Sequence, residues 1–459
     1  MPGRFLVAKP ITTDPRETDC PSGSLAGMIP SEISRRRISM RISLDSSPTP
    51  PTSASRKGFF ATTFRAFQYR NFRIQWTGAF TSTTGTWLQE VAQSWLVYTL
   101  TGSTVLLGLT AFLAGAPILL FSLLGGVVAD RMDRRRLLIF SQYTQMTSAF
   151  ILALLVYAGK IQIWHILVLT FVNGTAQSFG GPAYQALIPS LVDPEHVPNA
   201  IALMTIQFNL ARVIGPVIAG FAIRWLGMAA CFALNGASFI AVIVSLKLLH
   251  IEFIPKKTEE RILASLRQGL QFVYSHGSML ALIALAFAST GLGIPLITFL
   301  PSFAKDVFSL GAQGYSTMLA CSGAGSVVGA LVVAWMGHTA RKGRAALLML
   351  IALAVFLAAF SQSTNYALSC VLLFCAGVCL ISVFALVSSL VQLLAPEELR
   401  GRIMSVYNVA FRGGMPLGNL ITGFVAKGLT PSAALLGNGV ALAIVGLWFL
   451  LWERDVARL

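Results

Sequence analysis

Among the 18 Asp and Glu residues of the 459-residue chain, Glu90 alone stands inside a long apolar run; the others fall in tails, loops or the ends of such runs. A carboxylate held away from water can take up and release a proton as its surroundings change, or it can hold a cation. Thr83, Thr86 and Gln93 share its face at helical spacing, and Leu88, Val91 and Trp95 take the opposite face. A polar stripe is therefore expected along one side of this segment. Two bases are placed alike: Arg212 and Arg412 each lie inside an apolar run, 200 positions apart. Arginine stays charged when dehydrated, so either can attract an anionic substrate or pair with Glu90. The residues leave both roles open, Glu90 as proton carrier or structural counter-ion, the arginines as substrate contacts or structural partners.

Other chemistries lack their residues. No Gly-x-x-x-x-Gly-Lys-Ser/Thr loop is present to cradle nucleotide phosphates, and no His-Glu-x-x-His or Asp-rich metal motif occurs. Gly323-Ala-Gly325-Ser-Val-Val-Gly329 is one residue too long for a dinucleotide loop. Gly325 and Gly329 instead read as a place where helices approach closely. Of the six cysteines, none has metal or redox spacing, and Cys375 and Cys379 share a helix face as small packing residues. No cofactor, metal or catalytic residue is expected.

The candidate residues need a scaffold, and the composition names it. Hydrophobic residues make up 55% of the chain and charged residues 11%, with a mean hydropathy of +0.71. Soluble domains carry roughly 25% charged residues, and a soluble fold could not hide this much apolar surface. A soluble enzyme, an extracellular module and a disordered chain are excluded. Twelve runs are long enough to cross a bilayer as helices: 72–98, 105–129, 137–158, 163–186, 199–223, 228–249, 278–303, 313–336, 345–361, 366–393, 403–425 and 432–452. The expected class is an all-α integral membrane protein with twelve transmembrane helices.

Residues 1–58, rich in Ser, Thr, Pro and Arg, are expected to form a disordered cytoplasmic tail, with Met28 and Met40 as alternative starts. Residues 59–249 then make one six-helix bundle and 278–453 a second. Between them, 250–277 is a cytoplasmic loop in which Ile262, Leu266, Leu270 and Val273 predict a helix lying on the membrane surface. Residues 454–459 form a second cytoplasmic tail. Outside the runs, only Lys160, Arg224, Lys305 and Lys427 fall on the side opposite the other bases. The bias of bases toward the cytoplasm places both termini there. The net charge of +16 thus suits a lipid bilayer and calls for no nucleic acid.

The two halves echo each other. LVDPEHVPNAIALMTIQFNLARVIGPVIAGF from Leu191 parallels LLAPEELRGRIMSVYNVAFRGGMPLGNLITGF from Leu393, and Gly220-Phe221 matches Gly423-Phe424. Such a duplication implies a pseudo-two-fold axis along the membrane normal, with a site between the halves. The second break reads Gly126-Val-Val-Ala-Asp130-Arg131-Met-Asp133-Arg134-Arg135-Arg136. It resembles the signature loop of the major facilitator superfamily, Gly-x-x-x-Asp-Arg-x-Gly-Arg-Arg/Lys, with Asp133 standing where the pattern has Gly. TWLQEVAQSWLVYTLTGS, GGPAYQALIPSLV and NLARVIGPVIAG are similar to the enterobactin-exporter-like branch of bacterial efflux proteins.

The resemblance, over roughly residues 60–453, implies two pseudo-symmetric six-helix bundles working by alternating access, as a monomer, in the bacterial inner membrane. It implies that Gly126, Asp130, Arg131, Arg134 and Arg135 form a gating loop, in which Asp130 latches the halves on the cytoplasmic side and Arg134 orients it. Gly215-Pro216-x-x-x-Gly220 resembles the Gly-Pro motif of superfamily antiporters, linked to export and to sealing of the central cavity. Read without the resemblance, it is a proline-bent helix with small packing residues. The implied function is proton-driven efflux of an amphipathic small molecule, a siderophore-like metabolite or a drug. Glu90, Thr86, Gln93, Arg212 and Arg412 are its candidate proton-coupling or substrate residues, and protons and the small molecule its partners. An importer or passive facilitator is the alternative on the same fold. A membrane-embedded enzyme would need clustered acids or a metal site at the membrane face, which the sequence lacks.

Overall fold

The computed structural model describes residues 64–249, 262–336 and 341–451; side chains at 122–131 and 262–266 are outside the description. The two predicted tails and the first part of the central loop also fall outside it.

The predicted runs are long helices. In the first half these are α1 (Arg70–Thr101), α2 (Thr104–Arg131), α3 (Arg134–Tyr157), α4 (Ile163–Leu187), α5 (Val197–Leu226) and α6 (Met228–Leu248). The second half has α7 (Gly277–Gly293), α8 (Ala312–Trp335), α9 (Lys342–Gln362), α10 (Tyr366–Leu394), α11 (Arg400–Gly428) and α12 (Pro431–Leu451). Pro295 and Pro301 cannot donate to a helical ladder. Beyond Gly293, α7 therefore continues as short pieces, Pro295–Thr298 and Leu300–Ser302, and ends in a π-helical turn, Phe303–Val307. Within the loop predicted at 250–277, a helix spans Ile262–Ser275.

Among the described residues, nine of these helices are apolar and long enough to span a membrane on composition alone. The other three, α1, α4 and α11, are diluted by polar residues: Gln75, Gln89, Glu90 and Gln93 in α1, Asn173, Gln177 and Gln185 in α4, Arg412 and Asn419 in α11. A helix that polar needs protein or enclosed water on its polar side.

Helix pairing repeats on moving six helices along the chain. α1 packs on α5 and α6, α2 on α4, and α3 on α4 and α6; correspondingly α7 packs on α11 and α12, α8 on α10, and α9 on α10 and α12. The halves meet through α2 against α11 and α5 against α8, and each of these contacts becomes the other under the same shift. Small residues make the seams close. A Cβ on Gly325 of α8 would fall inside the Phe374 carbonyl oxygen of α10, and one on Gly418 of α11 inside the Gly291 carbonyl oxygen of α7.

The repeat begins before α1, which the sequence reading did not anticipate. A short 3-10 helix, Arg65–Gln68, lies against the start of α5, where Ala66 N–H donates to Asn199 Oδ1 at 2.9 Å. Shifted 203 positions, these residues become Gly269 of the helix Ile262–Ser275 and Arg402 of α11. A Cβ on Gly269 would stand 2.8 Å from the Arg402 carbonyl oxygen. The helix Ile262–Ser275 is thus the second half's counterpart of the segment that precedes α1. Tyr69, at the start of α1, fastens the first copy: its hydroxyl donates to Asp193 Oδ2 at 2.7 Å. That bond to a carboxylate raises the pKa of the phenol.

Candidate functional site

Define the basic face as the end where α1 begins, with Arg70, Arg134 to Arg136, Arg341 and Arg400, and the far face as the end with Lys160, Arg224, Lys305 and Lys427. Towards the far face, α2 and α11 touch at Thr104 and Gly423, at Gly108 and Asn419, at Gly115 and Pro416, and last at Leu119 and Gly413. The α5–α8 seam runs from Arg224, whose Nη1 donates to Gln313 Oε1 at 3.3 Å, through Gly220 and Ser316, to Arg212 and Gly323. The apolar core follows the same division. Trp95, Tyr98, Phe303 and Tyr315 belong to one buried cluster shared by both halves, whereas the first half has a separate cluster at its basic end, including Phe72, Leu138, Leu203 and Leu246. Among the described residues the halves are joined at the far face.

Glu90 lies on α1, 11 residues before its far end at Thr101, about 16 Å along the axis. Its side chain and that of Thr86 are exposed, Thr83 is half-buried, and Leu88, Val91 and Trp95 are buried on the other face. Gln93 turns away from them. Asn235 Nδ2 donates to Gln89 Oε1 at 2.7 Å, Gln89 Nε2 to Gln93 Oε1 at 3.4 Å, and Gln93 Nε2 to Thr170 Oγ1 at 3.0 Å. This buried chain ties α6, α1 and α4 together and uses the Gln93 amide inside the first half. Helical spacing had placed Gln93 on the Glu90 stripe, but spacing does not specify which neighbour each edge of the stripe meets.

Arg212 sits mid-way along α5 and is 8% exposed. Its guanidinium carbon is 5.5 Å from the centroid of the Trp87 ring, and its Nε has no hydrogen-bond partner. A desolvated cation over an indole face gains about 2 kcal/mol. No ion pair joins Arg212 to Glu90 in this state; the carboxylate–base contacts among the described residues lie at helix starts, Arg136 with Asp133 at 3.6 Å and His196 with Glu195 at 3.3 Å. Arg412 of α11 is exposed. Beside it, Phe411 packs edge-on against Phe384 at 4.8 Å and stacks on Tyr407 at 5.8 Å. On the first half, Phe208 meets Trp87 at 6.1 Å. Of the three interior charges, Arg212 has a ring contact, with Trp87, and aromatic pairs from both halves lie on the same helices. Trp87 and Tyr315 escaped the sequence reading, because an aromatic residue in an apolar helix carries no signal of which ring faces a charge.

The motif residues do structural work around this site. A Cβ on Gly215 would approach Trp87 Cβ at 2.5 Å and the Thr84 carbonyl oxygen at 2.9 Å, and one on Gly220 would collide with Ser316 Oγ. Gly215 thus sets α5 onto α1, and Gly220 sets it onto α8, with Pro216 buried between them. At the basic face, Arg134 Nη1 donates to the Ala186 carbonyl at the end of α4, at 3.1 Å. Arg135 donates through Nε and Nη2 to the Leu246 and Lys247 carbonyls at the end of α6, both at 2.6 Å. Each arginine satisfies carbonyls that a helix end leaves unpaired and opposes the negative end of the helix dipole. Asp133 is the N-cap of α3 and accepts from Arg135 N–H at 2.9 Å, a role that a glycine side chain cannot fill. Gly126, Asp130 and Arg131 lie in the last turns of α2, and their side chains fall outside the described residues. Near this end of α10, a 460 Å³ cavity is lined by Ser388, Ser389, Gln392 and Arg400.

Known proteins match this architecture. The enterobactin exporter EntS of Shigella boydii serotype 4 (strain Sb227) is 26% identical over 388 residues, 84% of this chain and 92% of that protein. EntS of Escherichia coli (strain SMS-3-5 / SECEC) matches with the same identity and coverage. Among solved structures, a bacterial homolog of the human lysosomal transporter Spinster, inward-facing and unoccupied, has a TM-score of 0.67 at 14% identity over 84% of this chain and 98% of that one. The nucleoside transporter NupG gives a TM-score of 0.64 at 16% identity, over 83% and 98% of the two chains. A D-xylose–proton symporter gives 0.65 at 12%, over 87% and 99%. At these identities the solved structures speak for the fold. The family described as transmembrane secretion effector matches residues 61–455. With its two six-helix halves, its closed far face and that match over nearly the whole described chain, the protein belongs to the transmembrane secretion effectors of the major facilitator superfamily.

Proposed function

We propose that this transporter is a proton-coupled exporter of an amphipathic small molecule, siderophore-like or drug-like, working as a monomer in the bacterial inner membrane with both termini in the cytoplasm. The observation that carries the reading is the arrangement of Glu90, Arg212 and Arg412 between the halves: three interior ionisable groups, with no pairing between Glu90 and Arg212. An unpaired interior acid suits a group that gains a proton in one state and loses it in the other. Two interior arginines, one of them over an indole ring, suit an anionic, partly aromatic cargo. The concentration of bases on one face supports a cytoplasmic basic side, and the relatives named as enterobactin exporters support outward movement of a siderophore-like molecule. In this cycle substrate enters from the basic side, the halves rock about the α2–α11 and α5–α8 seams, and proton entry from the far side resets Glu90.

The test is transport in inside-out membrane vesicles with an imposed proton gradient, acid inside. A labelled catecholate siderophore and a fluorescent cationic drug serve as probes. Accumulation of either probe that collapses on adding a protonophore is the expected result. Equilibration of the probe without accumulation, whether or not the gradient is imposed, would indicate a passive facilitator, and loss of probe from preloaded vesicles on imposing the gradient would indicate an importer; either overturns the proposal.

A further inference from the structure

The far face is held shut by more than helix seams. Tyr98, in the last turn of α1, donates its hydroxyl to Asp306 Oδ2, and the neighbouring Lys305 places its ammonium 5.5 Å from the centroid of the same ring. Two consecutive residues thus grip one tyrosine from the opposite half. In an α-helix consecutive side chains diverge by 100°, which would carry one of them off the ring. Lys305 and Asp306 instead lie in the π-helical turn Phe303–Val307, closed by Phe308 N–H donating to the Phe303 carbonyl at 3.0 Å. The wider turn brings the two side chains closer in angle. The chain leaves the turn through Ser309 at φ 53°, a left-handed conformation that costs a non-glycine residue about 1 kcal/mol or more. Such local strain persists only where the surrounding contacts impose it, and single π-turns recur at functional sites.

Deeper along α1, Trp95 stacks on Tyr315 of α8 with ring centroids 6.2 Å apart and planes at 18°. Tyr315 also lies within electrostatic reach of Glu90. The far face therefore has an outer layer of Tyr98, Lys305 and Asp306 and an inner layer of Trp95 and Tyr315, with Glu90 five residues further in along α1.

We propose that Tyr98 and the Lys305–Asp306 pair, presented by the π-turn, form the far-face gate of this transporter: the bond between them is a releasable latch that sets how often the far side opens. The latch acts whatever the cargo and whatever ion drives it, so it stands apart from the function proposed above. Tyr98, Lys305 and Asp306 are positioning residues, acting through the balance between the two open states.

The experiment is far-face labelling in the full-length protein. Ser316, buried in the α5–α8 seam against Gly220, is replaced by Cys, and its reaction with a membrane-impermeant maleimide from the far side is followed against a parent that keeps Ser316. Tyr98→Phe and Asp306→Ala are each expected to speed labelling about five-fold, the worth of one hydrogen bond. The double variant should be no faster than either single one, because both remove the same bond. Lys305→Gln, which leaves that bond intact, should give a smaller rise and keeps the test valid if Asp306→Ala fails to fold. Unchanged labelling in Tyr98→Phe, or effects of Tyr98→Phe and Asp306→Ala that multiply in the double variant, overturns the gate.

Discussion

At the scale of single residues, the interior charges decide how this protein spends its stability. Glu90 is exposed between the halves, whereas Arg212 is buried and leans on Trp87, so the two behave as separate units in this state. Glu90→Gln keeps the shape and hydrogen-bonding capacity of the side chain but cannot ionise. Gradient-driven efflux is expected to vanish in that variant while probe binding, measured by fluorescence quenching, survives. Normal pumping by Glu90→Gln would move the coupling site elsewhere, and a folding failure rescued by a second Arg212→Gln change would make Glu90 a counter-ion. At the basic face, Asp133→Ala removes the N-cap of α3 and should cost about 1 kcal/mol, read as a lower thermal unfolding temperature in detergent with the helical circular-dichroism signal unchanged at low temperature. Positions such as Glu90, Arg212 and Arg412 were legible in the sequence because an ionisable side chain in an apolar run stands out. Their partners were not: Trp87, Tyr315 and the Asn235–Gln89–Gln93–Thr170 chain depend on which helices become neighbours, and helical periodicity carries no record of that.

At the scale of elements, the twelve runs read from the sequence placed all twelve long helices, nine of them on apolar length and composition alone. They could not foresee the broken end of α7. There the prolines were visible, but the π-turn that follows depends on contacts with α1. Close approach was better encoded. Gly325 and Gly329 of α8 were read as packing residues, and Cβ atoms on them would strike the backbone of α10 at Phe374 and Val378. Gly325→Ala should therefore push α8 and α10 apart and destabilise the second half by about 1–3 kcal/mol. Differential scanning fluorimetry of the purified protein checks this, and an unchanged unfolding temperature would mean the seam has slack that the structure does not show. Because both helices lie in one half, the balance between open states, read by the Ser316→Cys labelling rate, should stay near that of the parent.

At the scale of the whole molecule, the duplicated sequence around α5 and α11 announced two related halves, and the pairing of helices bears this out. Its full extent was hidden, because the short segment before α1 and the helix before α7 share little beyond Gln68-Tyr69 and Gln271-Phe272; position against α5 and α11 reveals their kinship, composition does not. The exchange of α2–α11 with α5–α8 has a consequence for descent and for assembly. If the chain were two identical halves, those contacts would be a single patch meeting its own copy, the isologous interface of a symmetric homodimer. The covalent link between the halves would then be a convenience of expression rather than a requirement of the fold. Two polypeptides, residues 1–249 and 250–459, should accordingly find each other when produced together, co-purify through a tag on one of them, and export the probe in vesicles. Each alone should leave its α2 or α8 seam bare and be degraded. Failure of the co-produced fragments to associate would mean that, since duplication, the halves have come to depend on being made as one chain.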